Sequence, residues 1–193
     1  NADAMKSTLS AMDQIRAKYA LNNVHFRRAL SFSINRVAYN AAGVGEDLAP
    51  ISLINSFTPG DFVSMEEEVT VKINGKDMTY PAGTFYGKIM QDQIDADGTH
   101  LKVWDPTAEG GAGSSKGFDG WYSAEAAVEE LNKAIDELKA QGVEVSAEKP
   151  IVLDYPVYAQ SPVFVNRANA VKKSVEDALG GKIKIMLVNS ATQ

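Results

Sequence analysis

The stretch LDYPVYAQSPVFVNRANAVKKSVEDALGGKIKIMLV, Leu153 to Val188, reads as strand, helix and strand with both junctions marked. A buried strand over Ile151 to Tyr155 runs into Pro156, which cannot donate to a central ladder and is expected to end it. Ser161 and Pro162 then supply an N-cap and an N1 proline. Phe164, Ala168, Val171, Val175 and Ala178 recur at helical spacing, and Gly180-Gly181 close the helix. A second strand restarts from Lys182 to Val188. Such a unit brings the end of its first strand to the rim of a sheet, where open α/β folds bind ligands, and it predicts a mixed α/β class.

Upstream of this passage, Ser123 to Gln141 is one long amphipathic helix. Ala127, Val128, Leu131, Ala134, Ile135 and Leu138 form its core face, and Gly142 caps it. Glu129 and Lys133 stand one turn apart on it and can pair. Near the start of the chain, Met5, Leu9, Met12, Ile15 and Tyr19 form a helical stripe ending at Asn22-Asn23. A second helix follows, with Phe26, Leu30, Ile34, Val37 and Ala41 on one face and Arg27, Arg28 and Arg36 off it, ending at Gly43 and Gly45.

Between these helical regions, Leu48 to Asp61 is an extended, mostly uncharged loop with Pro50 and Pro59 near its ends. Val69, Val71 and Ile73 alternate, Asn74-Gly75 offers a two-residue turn, and Met78 and Tyr80 alternate back, so a β-hairpin is expected. Pro81-Ala82-Gly83 leads into a short helix over Phe85 to Ile94. Asp95 to Gly120 is polar and glycine-rich, with one strand expected at Leu101 to Trp104. The whole reads as a single domain over 1–193 with a hairpin and loop insert at 65–120.

Bulk properties exclude several functions. A chain of 193 residues suits one large domain or two small ones. Its 19 basic and 25 acidic side chains leave a net charge of −6, which opposes nonspecific nucleic-acid binding. The absence of cysteine excludes thiol catalysis, disulfides and thiolate metal sites. No apolar run approaches the roughly 20 residues that a membrane span needs. Asn1 to Lys18 has no apolar core after a basic start, so it is no signal peptide. A helix with nothing before it, and an end just after a strand, suggest a piece cut from something longer.

Four weak motifs are open to a functional reading. Gln93 to Thr99, with Asp95, Asp97 and Gly98, resembles the start of a calcium loop. The first and twelfth positions hold Gln93 and Trp104 instead of carboxylates, so an acidic turn explains it better. Gly110 to Lys116 invites a phosphate-loop reading, but Asp105-Pro106-Thr107 precedes it and Gly117 follows Lys116, so a surface loop fits better. His25 and His100 are distant in sequence and belong to no metal or nucleophile pattern; both are expected at the surface. The aromatic and amide set Asn55, Phe57, Tyr155 and Tyr158 is the candidate ligand-binding group, since aromatic faces and amides suit a cleft holding varied organic ligands. Core placement of Phe57 and Tyr155 is the competing reading. No catalytic residue, metal or cofactor is indicated.

Three segments carry a family resemblance. NNVHFRRALSFSINRVAYNA, Asn22 to Ala41, resembles the Arg-Lys/Arg-Ala-Leu-x-x-Ala-x-Asp-Arg signature of extracytoplasmic solute-binding proteins that serve oligopeptide ABC importers. GWYSAEAAVEELNKAIDELKAQGV resembles their Tyr-x-x-Glu-x-Ala-x-x-x-Leu helix. LDYPVYAQSPVFVNRANAVKKSVEDALG is similar to the corresponding stretch of Gram-positive peptide-binding lipoproteins. Asn35 departs from the family pattern, which has Asp before the arginine.

The resemblance implies a fragment of the C-terminal lobe of a type II periplasmic-binding-protein-like fold. It implies an oligopeptide ligand, a second lobe of the same protein closing over it, ABC permease subunits as partners, and a lipid anchor on the outer face of the cell membrane. It also implies that the acidic residue commonly meeting a peptide's free amine lies beyond Gln193. A stand-alone cell-surface interaction domain and a hydrolase fragment are the rival classes.

Overall fold

The strand–helix–strand passage folds as its spacing dictates. In a computed structural model, which describes residues 7–107 and 119–190, β3 (Ile151–Tyr158) and β4 (Ile183–Ser190) lie parallel, joined by α6 (Pro162–Leu179). Gly180 takes the left-handed conformation, φ 57°, that closes a helix at no steric cost. Ser161 occupies the N-cap position, but its side chain makes no capping hydrogen bond.

Pro156 does not end the strand as expected; it sits inside β3, opposite Val188. The reason is its register. The Ile151 N–H donates to the Lys182 carbonyl at 2.9 Å, so odd-numbered residues of β3 face β4 with their ladder groups. Pro156 falls on the even set, whose amides point to the free edge, and a missing donor costs nothing there.

The two strands are amphipathic in the same parity. Ile151, Val157, Ile183 and Ile185 are buried on one face, against α6, which contributes Ala168, Val171, Val175 and Leu179. Leu179 replaces the expected Ala178 as the last core position, and Phe164, expected in the core, is exposed. One face of a parallel sheet covered by its own crossover helix is the arrangement such sheets require.

The chain divides into two compact units, one of residues 1–43 with 122–193 and one of residues 44–121. The first holds β3, β4 and α6 together with α1 (Ala11–Asn22), α2 (Val24–Ser33), α3 (Arg36–Val44, through Gly43) and α5 (Ala124–Ala140). The core of this unit lies where α2 meets α5: Phe26, Ala29 and Phe32 face Ala127, Leu131, Ala134 and Leu138. Val128 is exposed, and the buried polar residue on α5 is Glu130.

Two helical expectations are corrected. Met12, Ile15 and Tyr19 on α1 are exposed, and the helix buries its small residues Ala17 and Ala20 instead. The helix expected to run through Ile34 breaks there into α2 and α3. Ile34 is extended, and Asn35 Oδ1 accepts the Ala38 N–H at 3.0 Å as an N-cap. Ser174 of α6 takes up both backbone groups that the break releases: its Oγ accepts the Asn35 N–H at 2.7 Å and donates to the Ser33 carbonyl. Asn35 thus serves by capping, a job its amide oxygen does without a charge.

The second unit contains the expected hairpin, β1 (Val69–Ile73) and β2 (Lys76–Tyr80), with Ile73 opposite Lys76. Asn74 and Gly75 both have positive φ, 47° and 78°, as a two-residue turn of matching twist demands. The helix α4 (Tyr86–Ala96) follows. No strand forms at Leu101 to Trp104. The Val103 and Trp104 amides donate to the Gln91 side-chain oxygen at 2.8 and 3.2 Å, so a glutamine of α4 replaces a strand partner. The phosphate-loop reading at Gly110 to Lys116 lies outside the described residues.

Candidate functional site

The four residues singled out from the sequence are divided between the two units. Tyr155 and Tyr158 lie near the end of β3. Being three apart in a strand they point to opposite faces, Tyr155 with the buried set and Tyr158 with the even set. The Tyr158 hydroxyl donates to Gln160 Oε1 at 2.9 Å. Burial pushes the Tyr155 phenol up from its ordinary pKa, and the nearby Tyr39 hydroxyl adds to the shift.

In the second unit Asn55 is buried and Phe57 is completely exposed. Asn55 holds the local loop: its Oδ1 accepts the Gly120 N–H at 3.0 Å, and its carbonyl accepts the Trp121 indole N–H at 2.9 Å. The bare aromatic face of Phe57 is free to meet something from outside.

Around β3 the first unit has a further surface that the sequence does not announce. A cleft of about 530 Å³ lies between α1 and the even face of the sheet, lined by Leu9, Ala17, Leu21, Val152, Pro156 and Val188 among others. Asp154 stands in it, accepting from the Ser7 hydroxyl at 2.6 Å. Such a volume is in the range of small-molecule sites.

Two residues near Tyr155 were missed. Arg167 of α6 stacks over the Tyr39 ring of α3, its guanidinium carbon 4.9 Å from the ring centre. A Cβ at Gly43 would crowd the Arg167 guanidinium, the movable end of a long side chain. Nothing in the local sequence pairs positions 39, 43 and 167; helical spacing brings 39 and 43 onto one face, and the fold supplies the rest.

The histidines are not plain surface residues. His25 Nδ1 lies 2.6 Å from Glu130 Oε2, and its Nε2 is 3.6 Å from Glu137 Oε1, bridging α2 to α5. Glu130 pairs with Lys133 at 3.1 Å, so Glu130 rather than Glu129 is the lysine's partner. Burial by itself would push the Glu130 carboxyl up, but hydrogen bonds from His25 and Lys133 outweigh it and hold it below the ordinary range. His100 is half-buried, with Nε2 3.0 Å from the Trp121 carbonyl.

Asp95, the first acid of the calcium-like turn, is taken up by the Gln91 amide at 2.8 Å and Lys102 at 3.0 Å. Among the described residues no group of three or more histidines or carboxylates is placed to hold a metal ion. Among them, too, no helix is long and apolar enough to cross a membrane.

No family model matches the chain. Curated proteins do. The oligopeptide-binding protein AmiA of Streptococcus pneumoniae is 33% identical over 168 residues, 87% of this chain and 21% of the relative. The oligopeptide-binding protein SarA of Streptococcus gordonii is 29% identical over 180 residues, covering 93% of this chain and 22% of its own length. The oligopeptide-binding protein AliA of Streptococcus pneumoniae is 32% identical over 177 residues, 91% of this chain and 23% of the relative. The chain spans roughly a fifth of the length of the curated relatives it matches. Over most of its residues, therefore, this chain is a relative of one stretch of the streptococcal oligopeptide-binding proteins.

Proposed function

We propose that the chain is part of the peptide-binding component of an ABC importer, capturing oligopeptides outside the membrane and handing them to the permease. The observation that carries this reading is the similarity to oligopeptide-binding proteins along 87% of the chain at 33% identity. In this reading the chain is a piece of the C-terminal lobe of a type II periplasmic-binding-protein-like fold. A second lobe of the same protein closes over the ligand, and closure is driven only by tighter binding to the closed form. A lipid anchor elsewhere in the protein holds it at the extracellular face. The role is binding, without catalysis.

Asn55, Phe57, Tyr155 and Tyr158 are proposed contributors to the ligand surface. Phe57 has the accessibility for direct contact. Asn55 contributes by shaping its loop through the Gly120 and Trp121 hydrogen bonds. Main-chain pairing with the peptide, leaving side-chain pockets loose, would give tolerance of many sequences.

One lobe supplies only part of the contacts. Isothermal calorimetry of mixed oligopeptides against the 193-residue chain is expected to show binding far weaker than the micromolar level, about −8 kcal/mol, that two closing lobes can reach. Micromolar binding by the chain alone would overturn the two-lobe reading. Release of free amino acids from the same peptides would overturn the assignment as a binding protein.

A further inference from the structure

The sheet of β3 and β4 has two outer edges, and the fold treats them differently. On the β4 side, Glu176 of α6 accepts the Ile185 N–H at 2.8 Å and Lys172 donates to its carbonyl at 2.7 Å. The chain itself thus closes that edge at Ile185. On the β3 side the even-numbered residues turn their backbone groups outward. There the N–H and carbonyl groups of Val152 and Asp154 have no hydrogen-bond partner among the described residues. A row of such groups is a template for one more strand.

The β3 edge is also poorly guarded. Its one carboxylate, Asp154, is taken up on the cleft side by the Ser7 and Thr8 hydroxyls at 2.6 and 3.5 Å. Pro156 blocks its own position alone, since it lacks a donor and keeps its carbonyl. The apolar cleft of about 530 Å³ runs beside the edge, with Val152 and Pro156 in its wall and Leu9, Leu21 and Val188 around them. One face of the sheet lies under α6, and α1 stands over the other. Parallel strands covered on both faces belong to sheets of about four to six strands rather than two.

We propose that the outer edge of β3, from Val152 to Asp154, is a docking edge filled by an extended, apolar strand from a further stretch of the same protein. The lengths of the relatives favour this occupant: the matching stretch is 21% of AmiA and 23% of AliA, so most of such a protein lies outside it. The sheet therefore grows on the β3 side, because Glu176 and Lys172 obstruct the other. Pairing stops at Pro156, which has no N–H to give. The proposal rests on the part of the reading above that makes the chain a piece of a longer protein, and not on peptide binding.

The test compares the 193-residue chain with the complete gene product that contains it, by hydrogen exchange read residue by residue in a mass spectrometer. In the chain alone, the Leu153 and Tyr155 amides, which face β4, should exchange slowly, and those of Val152 and Asp154 fast. In the complete protein without peptide, Val152 and Asp154 should slow by about a hundredfold, to the level of their neighbours. The alternation separates pairing from general stabilisation, which would slow odd and even residues together.

Fast exchange of Val152 and Asp154 in both proteins overturns the proposal, as does slow exchange already in the chain alone. Protection that appears only when oligopeptides are added would give the edge to the ligand. Protection that grows with the concentration of the 193-residue chain would give it to a second copy. Either result overturns the assignment, and so does a gene product that holds nothing beyond these residues. Calorimetry of the complete protein with oligopeptides tests peptide binding separately, so the two readings can fail independently.

Discussion

Glu176 Oε1 accepts the Ile185 backbone N–H at 2.8 Å, so a helix carboxylate occupies the place where a further strand would pair with β4. Lys172, one turn earlier on α6, completes the arrangement by donating to the Ile185 carbonyl at 2.7 Å and to Glu176 at 2.6 Å. Both outward groups of one strand residue are thus satisfied by side chains, which closes that point of the edge to other chains. Glu176→Ala is expected to cost about 1–3 kcal/mol, because the Ile185 amide loses its acceptor in a half-buried setting. Glu176→Gln, which keeps an acceptor oxygen, should cost less. Urea denaturation of the three proteins measures the difference, and equal midpoints would refute the account.

The pairing of Glu130 with His25 and Lys133 gives stability an acid limb. Its folded carboxyl lies below the unfolded value of 4.5, so the unfolded chain takes up the proton first as pH falls. The contribution is therefore fully present above about pH 4.5 and disappears as pH drops through the lower folded value. Glu130→Gln should flatten the fall in denaturation midpoint between pH 5 and pH 3. A variant with the same slope as the parent would exclude this pair as its source.

An alkaline limb comes from Tyr80. Burial, then its hydrogen bond to Asp92 at 2.9 Å, pushes its phenol up to about 12. The folded chain keeps a proton that the unfolded chain releases near 10, so the stability it brings is whole below pH 10 and is lost as pH rises towards 12. Absorbance titration of tyrosinate should show one late phase that Tyr80→Phe removes.

The hairpin turn depends on Gly75 at φ 78°. Gly75→Ala places a Cβ in the left-handed region and should cost about 1 kcal/mol, most of it lost from the exchange protection of β1 and β2 amides. Unchanged protection in the hairpin would mean that the strands, rather than the turn, set its stability.

Asn55 and Phe57 separate architecture from ligand contact. Asn55→Ala orphans the buried Gly120 N–H and should lower stability by about 1–3 kcal/mol. Phe57→Ala removes a ring that touches only solvent, so stability should stay within about 0.5 kcal/mol while peptide affinity falls. A stability loss at Phe57 equal to that at Asn55 would remove the ring from the ligand surface.

The parts legible in the sequence are those set by near neighbours. Asn74-Gly75 between alternating runs specified the hairpin to its register, and Ser161, Pro162 and Gly180 bracketed α6 correctly. The misreadings have distant causes. The break at Ile34-Asn35 needs Ser174, 139 residues away, to receive the freed amide. Glu130 is buried because His25 arrives from another helix. Pro156 is tolerated because of which edge its register turns outward, and periodicity cannot report that. The pairing of Arg167 with Tyr39 joins residues from α6 and α3, so nothing close to either in the chain foretells it.

The unit that carries β3 and β4 is discontinuous, its first 43 residues parted from the remainder by the segment 44–121. During synthesis, at about 5–20 residues per second, α2 emerges roughly 4–20 seconds before α5 does. Phe26, Ala29 and Phe32 then have no surface to lie against, whereas the hairpin at Asn74-Gly75 closes within microseconds of leaving the ribosome. Maturation of this chain thus includes an interval in which the buried face of α2 waits for α5 to be made.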